Sequence, residues 1–198
     1  IDVNWLQGDN IQQFVFKEHE GSFLVGMIAA MKSQTGTVGF VGGMDIPLIR
    51  KFHGGYEQGA KYVNPNINVL MNMTGTTPEA WNNPTKGAEL TKAQVDKGAD
   101  VVYQAAGGTG IGVLQAAADA GIFGIGVDAN QNYMHPGSVL TSMLKRVDVA
   151  VYNAFKSTMD GTYETGVFTL GLAEDGVGWA LDEHNASLIT DEMKAAVE

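Results

Sequence analysis

An α/β fold built on parallel sheet is what this sequence predicts. Short β-branched runs alternate with segments of helical spacing, in units of about 30 residues. The runs are apolar at consecutive positions, as strands buried on both faces require. Glycine supplies 26 of the 198 residues, about twice the usual share of ~7%. That excess suits tight turns and places where one backbone lies against another or against a ligand.

Taken in order, Gln12–Lys17 reads as a short strand, and Gly21–Lys32 as a helix with Phe23, Met27 and Ala30 on one face. Thr37–Gly43, Ile67–Asn72, Asp100–Ala106 and Phe123–Asp128 are the clearest strands. Between them, Ile49, Phe52, Tyr56 and Ala60 recur at three and four, as do Val113, Leu114, Ala117 and Ala118. Leu90, Ala93 and Val95 follow the same spacing less cleanly. Asn83-Pro84 sets a capping residue before a proline and opens a helix over Thr85–Gly98. Gly98 and Gly121 stand where a left-handed residue closes a helix. Val139–Leu144 is a fifth run, ending in Lys145-Arg146. Asp148 begins a helix over Val149–Met159 that Gly161 stops. Gly166–Leu172 and Gly176–Leu181 read as short strands, and Thr190 as the N-cap of a last helix.

Composition narrows the function. Twelve Lys and Arg against 22 Asp and Glu give a formal charge of −10, which argues against nucleic acid and anionic lipid as partners. With no cysteine there is no disulfide framework, zinc-thiolate site or Cys nucleophile. Phe23–Met31, the most apolar stretch, is about half the span of a bilayer. The chain opens on Ile1-Asp2-Val3 without Met or a basic-then-apolar leader, and is expected to be a processed or trimmed piece.

Ligands of open α/β sheets bind beyond the carboxyl ends of the strands. The strands here run out into Gly42-Gly43-Met44-Asp45, then Met73–Thr77 leading to Trp81-Asn82-Asn83-Pro84, then Ala106–Gly110, Asp128–Gln131 and Lys145-Arg146. Two carboxylates, an aromatic, a glycine-rich turn and a cation thus share one rim. That set suits a neutral polar molecule with a flat ring, offering a stacking surface, carboxylates for hydroxyls, and backbone N–H groups. Each residue also has a plainer reading. Gly107–Gly112 serves equally as an ordinary βα turn. It is no dinucleotide fingerprint, because the third glycine would fall on Val113, and no Walker loop. Trp81 reads alternatively as core, although Asn82, Asn83 and Pro84 around it are loop residues. Asp128 would also serve as a helix cap, and Lys145 as a solvated cation. Four scattered histidines give no metal-ligand spacing, and Ser22 lacks a nucleophile elbow. No metal or cofactor is expected.

Six segments in order then carry a resemblance: Phe16-Lys17-Glu18-His19-Glu20-Gly21-Ser22-Phe23, Gly39–Asp45, Phe52-His53-Gly54-Gly55-Tyr56, Ala106–Gly110, Gly126-Val127-Asp128 and Leu140–Lys145. Together they closely resemble the basic membrane protein (BMP) family, the substrate-binding lipoproteins of bacterial ABC importers, which includes purine nucleoside receptors. The resemblance runs from about Asn10 to Glu198. It implies a type I periplasmic-binding-protein fold of two doubly wound parallel-sheet lobes that close on a ligand by hinge motion. Family members are longer, so lobe 1 is expected to be incomplete in this chain. Residues 1–36 and 146–165 are assigned to partial lobe 1, and 37–145 and 166–198 to lobe 2. By position, Trp81 matches the family's base-stacking aromatic, Gly107 the turn whose backbone faces the ligand, and Asp128 and Lys145 the ribose-binding side chains. Asp45 is placed on the cleft.

The function expected on this basis is capture of a small polar ring-containing solute, a purine nucleoside or similar, for an ABC permease in the membrane. No chemistry is done on the ligand. The corresponding location is periplasmic or membrane-anchored, as a lipoprotein. Two rivals share the layered fold: a nucleoside-processing enzyme and a cytoplasmic ligand sensor.

Overall fold

A computed structural model describes the whole chain, Ile1–Glu198. Its larger unit is a six-stranded sheet. β2 (Thr37–Met44), β4 (Val101–Ala105), β5 (Phe123–Asp128) and β6 (Val139–Lys145) run parallel in that order. β3 (Asn68–Gly75) is parallel to β2 on its other side, and β8 (Val177–Trp179) is antiparallel to β6 at the far edge. β3 and β4 therefore leave β2 in opposite directions. That reversal creates a crevice at the carboxyl ends of β2 and β4, the switch point at which doubly wound sheets hold ligands. Five of the six strands are those read from the consecutive apolar runs. β8 is shorter than the sequence suggests and is antiparallel.

Helices cover both faces. α1 (Glu18–Lys32), α2 (Pro47–Val63) and α6 (Asp191–Val197) lie on one side. α3 (Pro84–Val95) and α4 (Thr109–Asp119) lie on the other. The main core joins Val25, Ile28, Phe52 and Tyr56 from the first layer to Phe40, Tyr103 and Leu140 of the sheet, all buried. Val41, Val102 and Val113 form a smaller cluster under α3 and α4. Part of the glycine excess is spent where α1 meets α2. A Cβ on Gly59 would lie 2.0 Å from the Phe23 carbonyl oxygen, and one on Gly55 would lie 2.2 Å from that of His19. Only glycine lets those two backbones approach so closely.

The smaller unit is a parallel pair, β1 (Gln12–Phe16) and β7 (Gly166–Leu170), covered by α5 (Val147–Met159) through Phe14, Phe16 and Ala150. Outward from it, α5 exposes Tyr152, Phe155 and Met159, the last 88% accessible. Three crossings join the units: β1 to α1, β6 to α5, and β7 to β8. These contacts move two boundaries. Residues 18–32 were expected in the smaller unit, but α1 buries Val25, Met27, Ile28 and Ala29 in the larger core, so the first crossing falls at Lys17 and not near residue 36. Residues 166–170 were expected in the larger unit, but they pair with β1, and the chain rejoins the larger sheet only at Val177.

Candidate functional site

At the switch point lies a cavity of about 250 Å³, lined by Leu48, Ile49, Phe52, Trp81, Ala105, Ala106, Gly107, Val127, Asp128, Lys145 and Asp2. Four of the five residues singled out in the sequence meet here, each from a different strand end. Asp45 does not join them. Arg50, at the start of α2, takes both of its carboxylate oxygens, at 2.7 and 2.8 Å, and holds it away from the lining.

Trp81 ends a 3₁₀ turn, Pro78–Trp81, between β3 and α3. It is half-buried, with its six-membered ring over Gly43, where a Cβ would come within 2.3 Å of the ring. The turn is fixed from below by Thr109. This buried hydroxyl donates to the Ala80 carbonyl at 2.8 Å and accepts from the Asn83 N–H at 2.7 Å. Asn83 in turn caps α3 by accepting from the Lys86 N–H. Trp81 is thus neither a core residue nor a free loop aromatic, but a platform held at its edges.

Gly107 turns the chain after β4 with a left-handed φ of 57°. The turn is supported by Gln104, fully buried, which accepts from the Ala106 N–H and donates to Gln131 at 2.8 Å. Gln131 also accepts from the Val127 N–H, and Ser142 accepts from the Gln131 N–H. Side chains below the cavity therefore tie β4, β5 and β6 into one rim. A satisfied buried network of this kind holds a site rigid.

Asp128 closes β5 in the left-handed region, φ 65°, an uncommon setting that Asp tolerates better than most residues. Asp128 is an exposed residue of the rim, yet its carboxyl faces enough protein that partial removal from water pushes it above the ordinary aspartate value. The charge of Lys145 opposes that rise, and those of Asp2 and Glu18 add to it. Lys145, the last residue of β6, is buried. Its ammonium contacts Asp2 at 2.6 Å and Glu18 at 3.3 Å, and lies 5.1 Å from the centre of the Phe16 ring. Sequence reasoning missed Asp2 and Glu18. Asp2 reaches the cavity because its N–H donates to the Phe14 carbonyl, pinning the first residues against β1. Glu18 sat inside a motif noticed for its resemblance, with no sign of its burial.

An apolar floor, one indole platform, a carboxylate and a buried cation can bind a flat ring and hydroxyl groups together. No histidine, serine, threonine or cysteine is among the residues that line the cavity. Two linked sheets with a polar cleft at the switch point are the architecture of solute-binding proteins that close by hinge motion. The family model for ABC transporter substrate-binding proteins of the PnrA-like (Bmp) type matches residues 2–197, and the chain belongs to that family. The family is one of substrate-binding proteins, not of enzymes. Basic membrane protein D of Borreliella burgdorferi is 38% identical over 183 residues, covering 88% of this chain and 51% of the relative. An uncharacterized lipoprotein of Pyrococcus horikoshii is 40% identical over 187 residues, covering 87% and 45%. The chain thus spans about half the length of these relatives. Among solved structures, an ABC transporter solute-binding protein of Aeropyrum pernix superposes with a TM-score of 0.81 at 32% identity, covering 96% of this chain and 57% of that one. A transcriptional activator of the comK gene from Bacillus halodurans gives a TM-score of 0.84 at 26% identity, covering 97% and 64%.

Proposed function

We propose that this chain is the ligand-gripping part of an extracytoplasmic ABC-importer binding protein that captures a purine nucleoside and presents it to a membrane permease. The observation that carries the reading is the convergence of Trp81, Gly107, Asp128 and Lys145 on one cavity at the switch point. The base stacks on Trp81. The ribose hydroxyls donate to the Asp128 carboxylate, and the Lys145 ammonium donates to their oxygens. Relatives named as lipoproteins support a membrane-anchored location. The exposed apolar side chains of α5 fit a smaller lobe whose sheet continues beyond two strands.

Calorimetry on the full-length protein with inosine, hypoxanthine and ribose tests the proposal. Inosine is expected to bind most tightly, hypoxanthine more weakly and ribose least. Equal affinity for ribose and inosine would remove the ring from the reading. Trp81→Ala is expected to cost about 1–3 kcal/mol of inosine binding. Its effect on stability should fall below the ~3–5 kcal/mol of a fully buried aromatic, because Trp81 is only half-buried. Unchanged inosine affinity in that variant would take the ring off Trp81. The likeness to a transcriptional activator favours one second reading, a ligand sensor using the same cavity. Binding of the purified permease to the inosine-loaded protein separates the two.

A further inference from the structure

Nucleoside capture by Trp81, Gly107, Asp128 and Lys145 leaves Glu18 without a role, although it is among the most buried charged side chains of the molecule, 1% exposed. It opens α1, directly after the chain crosses from the smaller sheet to the larger. One carboxylate oxygen faces the Lys145 ammonium at 3.3 Å, and the other accepts from Lys51 at 2.7 Å. Lys51, on α2, also donates to the Phe16 carbonyl at 3.0 Å, the last residue of β1. Lys145 in turn is the last residue of β6, immediately before the chain crosses back to α5. Glu18 therefore sits between two of the three crossings. It touches the site's cation with one oxygen and is anchored to the first crossing through Lys51 with the other.

We propose that Glu18 is the positioning residue of the binding site, fixing the Lys145 ammonium toward the cavity and tying it to the crossing from β1 to α1. The inference rests on the reading of the cavity as the ligand site. A lysine has four rotatable carbons and a compact charge, so without a fixed counter-charge its direction is poorly defined. Phe16 supports the ammonium from one side only, and Asp2 belongs to the segment bonded to β1, across the cleft. Glu18 is the partner of Lys145 that sits, fully enclosed, in the larger core. A ligand hydroxyl can replace Asp2 on Lys145 without disturbing Glu18, so the cation stays aimed whether the cleft is open or closed.

The test uses the full-length protein with inosine and hypoxanthine as probes, together with the ¹⁵N signal of the Lys145 ammonium in the NMR spectrum. Glu18→Gln keeps the side-chain volume and removes the charge. It is expected to weaken inosine binding at least tenfold, to leave hypoxanthine within twofold, and to abolish the slowly exchanging Lys145 signal. Should Glu18→Gln fail to fold, Glu18→Asp draws the carboxylate back by one methylene: the exposed Lys51 side chain is free to follow it, the buried Lys145, already at 3.3 Å, is not, and the same selective loss is expected. Equal loss of inosine and hypoxanthine would show a general structural role and overturn the proposal. So would a Lys145 signal that persists in both variants. If the unaltered protein binds no inosine, the nucleoside reading fails by itself, and the Lys145 signal alone then decides the role of Glu18.

Discussion

Lys145→Met is expected to lower the unfolding free energy by about 3–5 kcal/mol, because breaking a buried ion pair strands the remaining charge. Two carboxylates lose a partner, Asp2 and the fully enclosed Glu18; water reaches Asp2, 31% exposed at its side chain, while Glu18 keeps only Lys51, whose side chain is 43% exposed and compensates less in a wet environment. Urea denaturation measures the loss. The double variant Glu18→Gln/Lys145→Met is expected to recover most of it, since removing both charges of a buried pair is often close to neutral. A double variant as unstable as Lys145→Met would mean that the packing of the buried Lys145 stem matters more than its charge.

The second large effect separates stability from binding. Asp128 has its folded-state pKa raised, with removal from water as the leading cause and the nearby Asp2 and Glu18 adding to it against Lys145. A carboxyl with a raised folded value favours folding at low pH, and that contribution is lost as pH rises through the folded value. At neutral pH the ionised group is therefore at most a small cost to the folded protein, because Asp128 is an exposed residue and water screens its charge. Asp128→Asn removes that cost, and asparagine also accepts the left-handed φ of 65°. The ligand-free variant is expected to melt at or slightly above the original at pH 7, with no gain below the ordinary carboxylate range. Inosine affinity is expected to fall about 10–100-fold, the equivalent of one lost charge-assisted bond. In the unaltered protein, affinity should also drop on acidification, starting above the pH at which an ordinary aspartate protonates, and Asp128→Asn should be flat there. A ligand-free variant that melts clearly lower at pH 7 would show that the Asp128 charge, beside Lys145, stabilises the folded state, and would contradict this reading.

Much of this arrangement was legible in the sequence for a physical reason. Strands buried on both faces must be apolar at consecutive positions, so the runs ending at Asn72, Ala106, Asp128 and Leu144 declared themselves. The carboxyl ends of those strands then supplied four of the cavity's residues. Order along the chain does not say on which sheet a helix lies, and α1 was therefore assigned to the wrong unit. Gly55 and Gly59 held the missing signal, since they allow α2 to touch α1. Asp45 stands at a strand end as Asp128 does, but an arginine one turn into α2 claims it, a local pair that the spacing to Arg50 allowed. Glu18 was illegible for a different reason. Lys17-Glu18-His19-Glu20 reads as a solvated run, and only partners from α2 and the end of β6 bury its second residue.

A crystal structure of the full-length protein with inosine tests most directly whether the cavity at the switch point grips a nucleoside by its base and its sugar at once. The expected result is the hypoxanthine ring parallel to the Trp81 indole, the ribose hydroxyls within hydrogen-bond reach of Asp128 and Lys145, and Lys145 still against Glu18. Inosine bound outside this cavity, or bound within it with its ribose turned away from Asp128 and Lys145, would contradict the account.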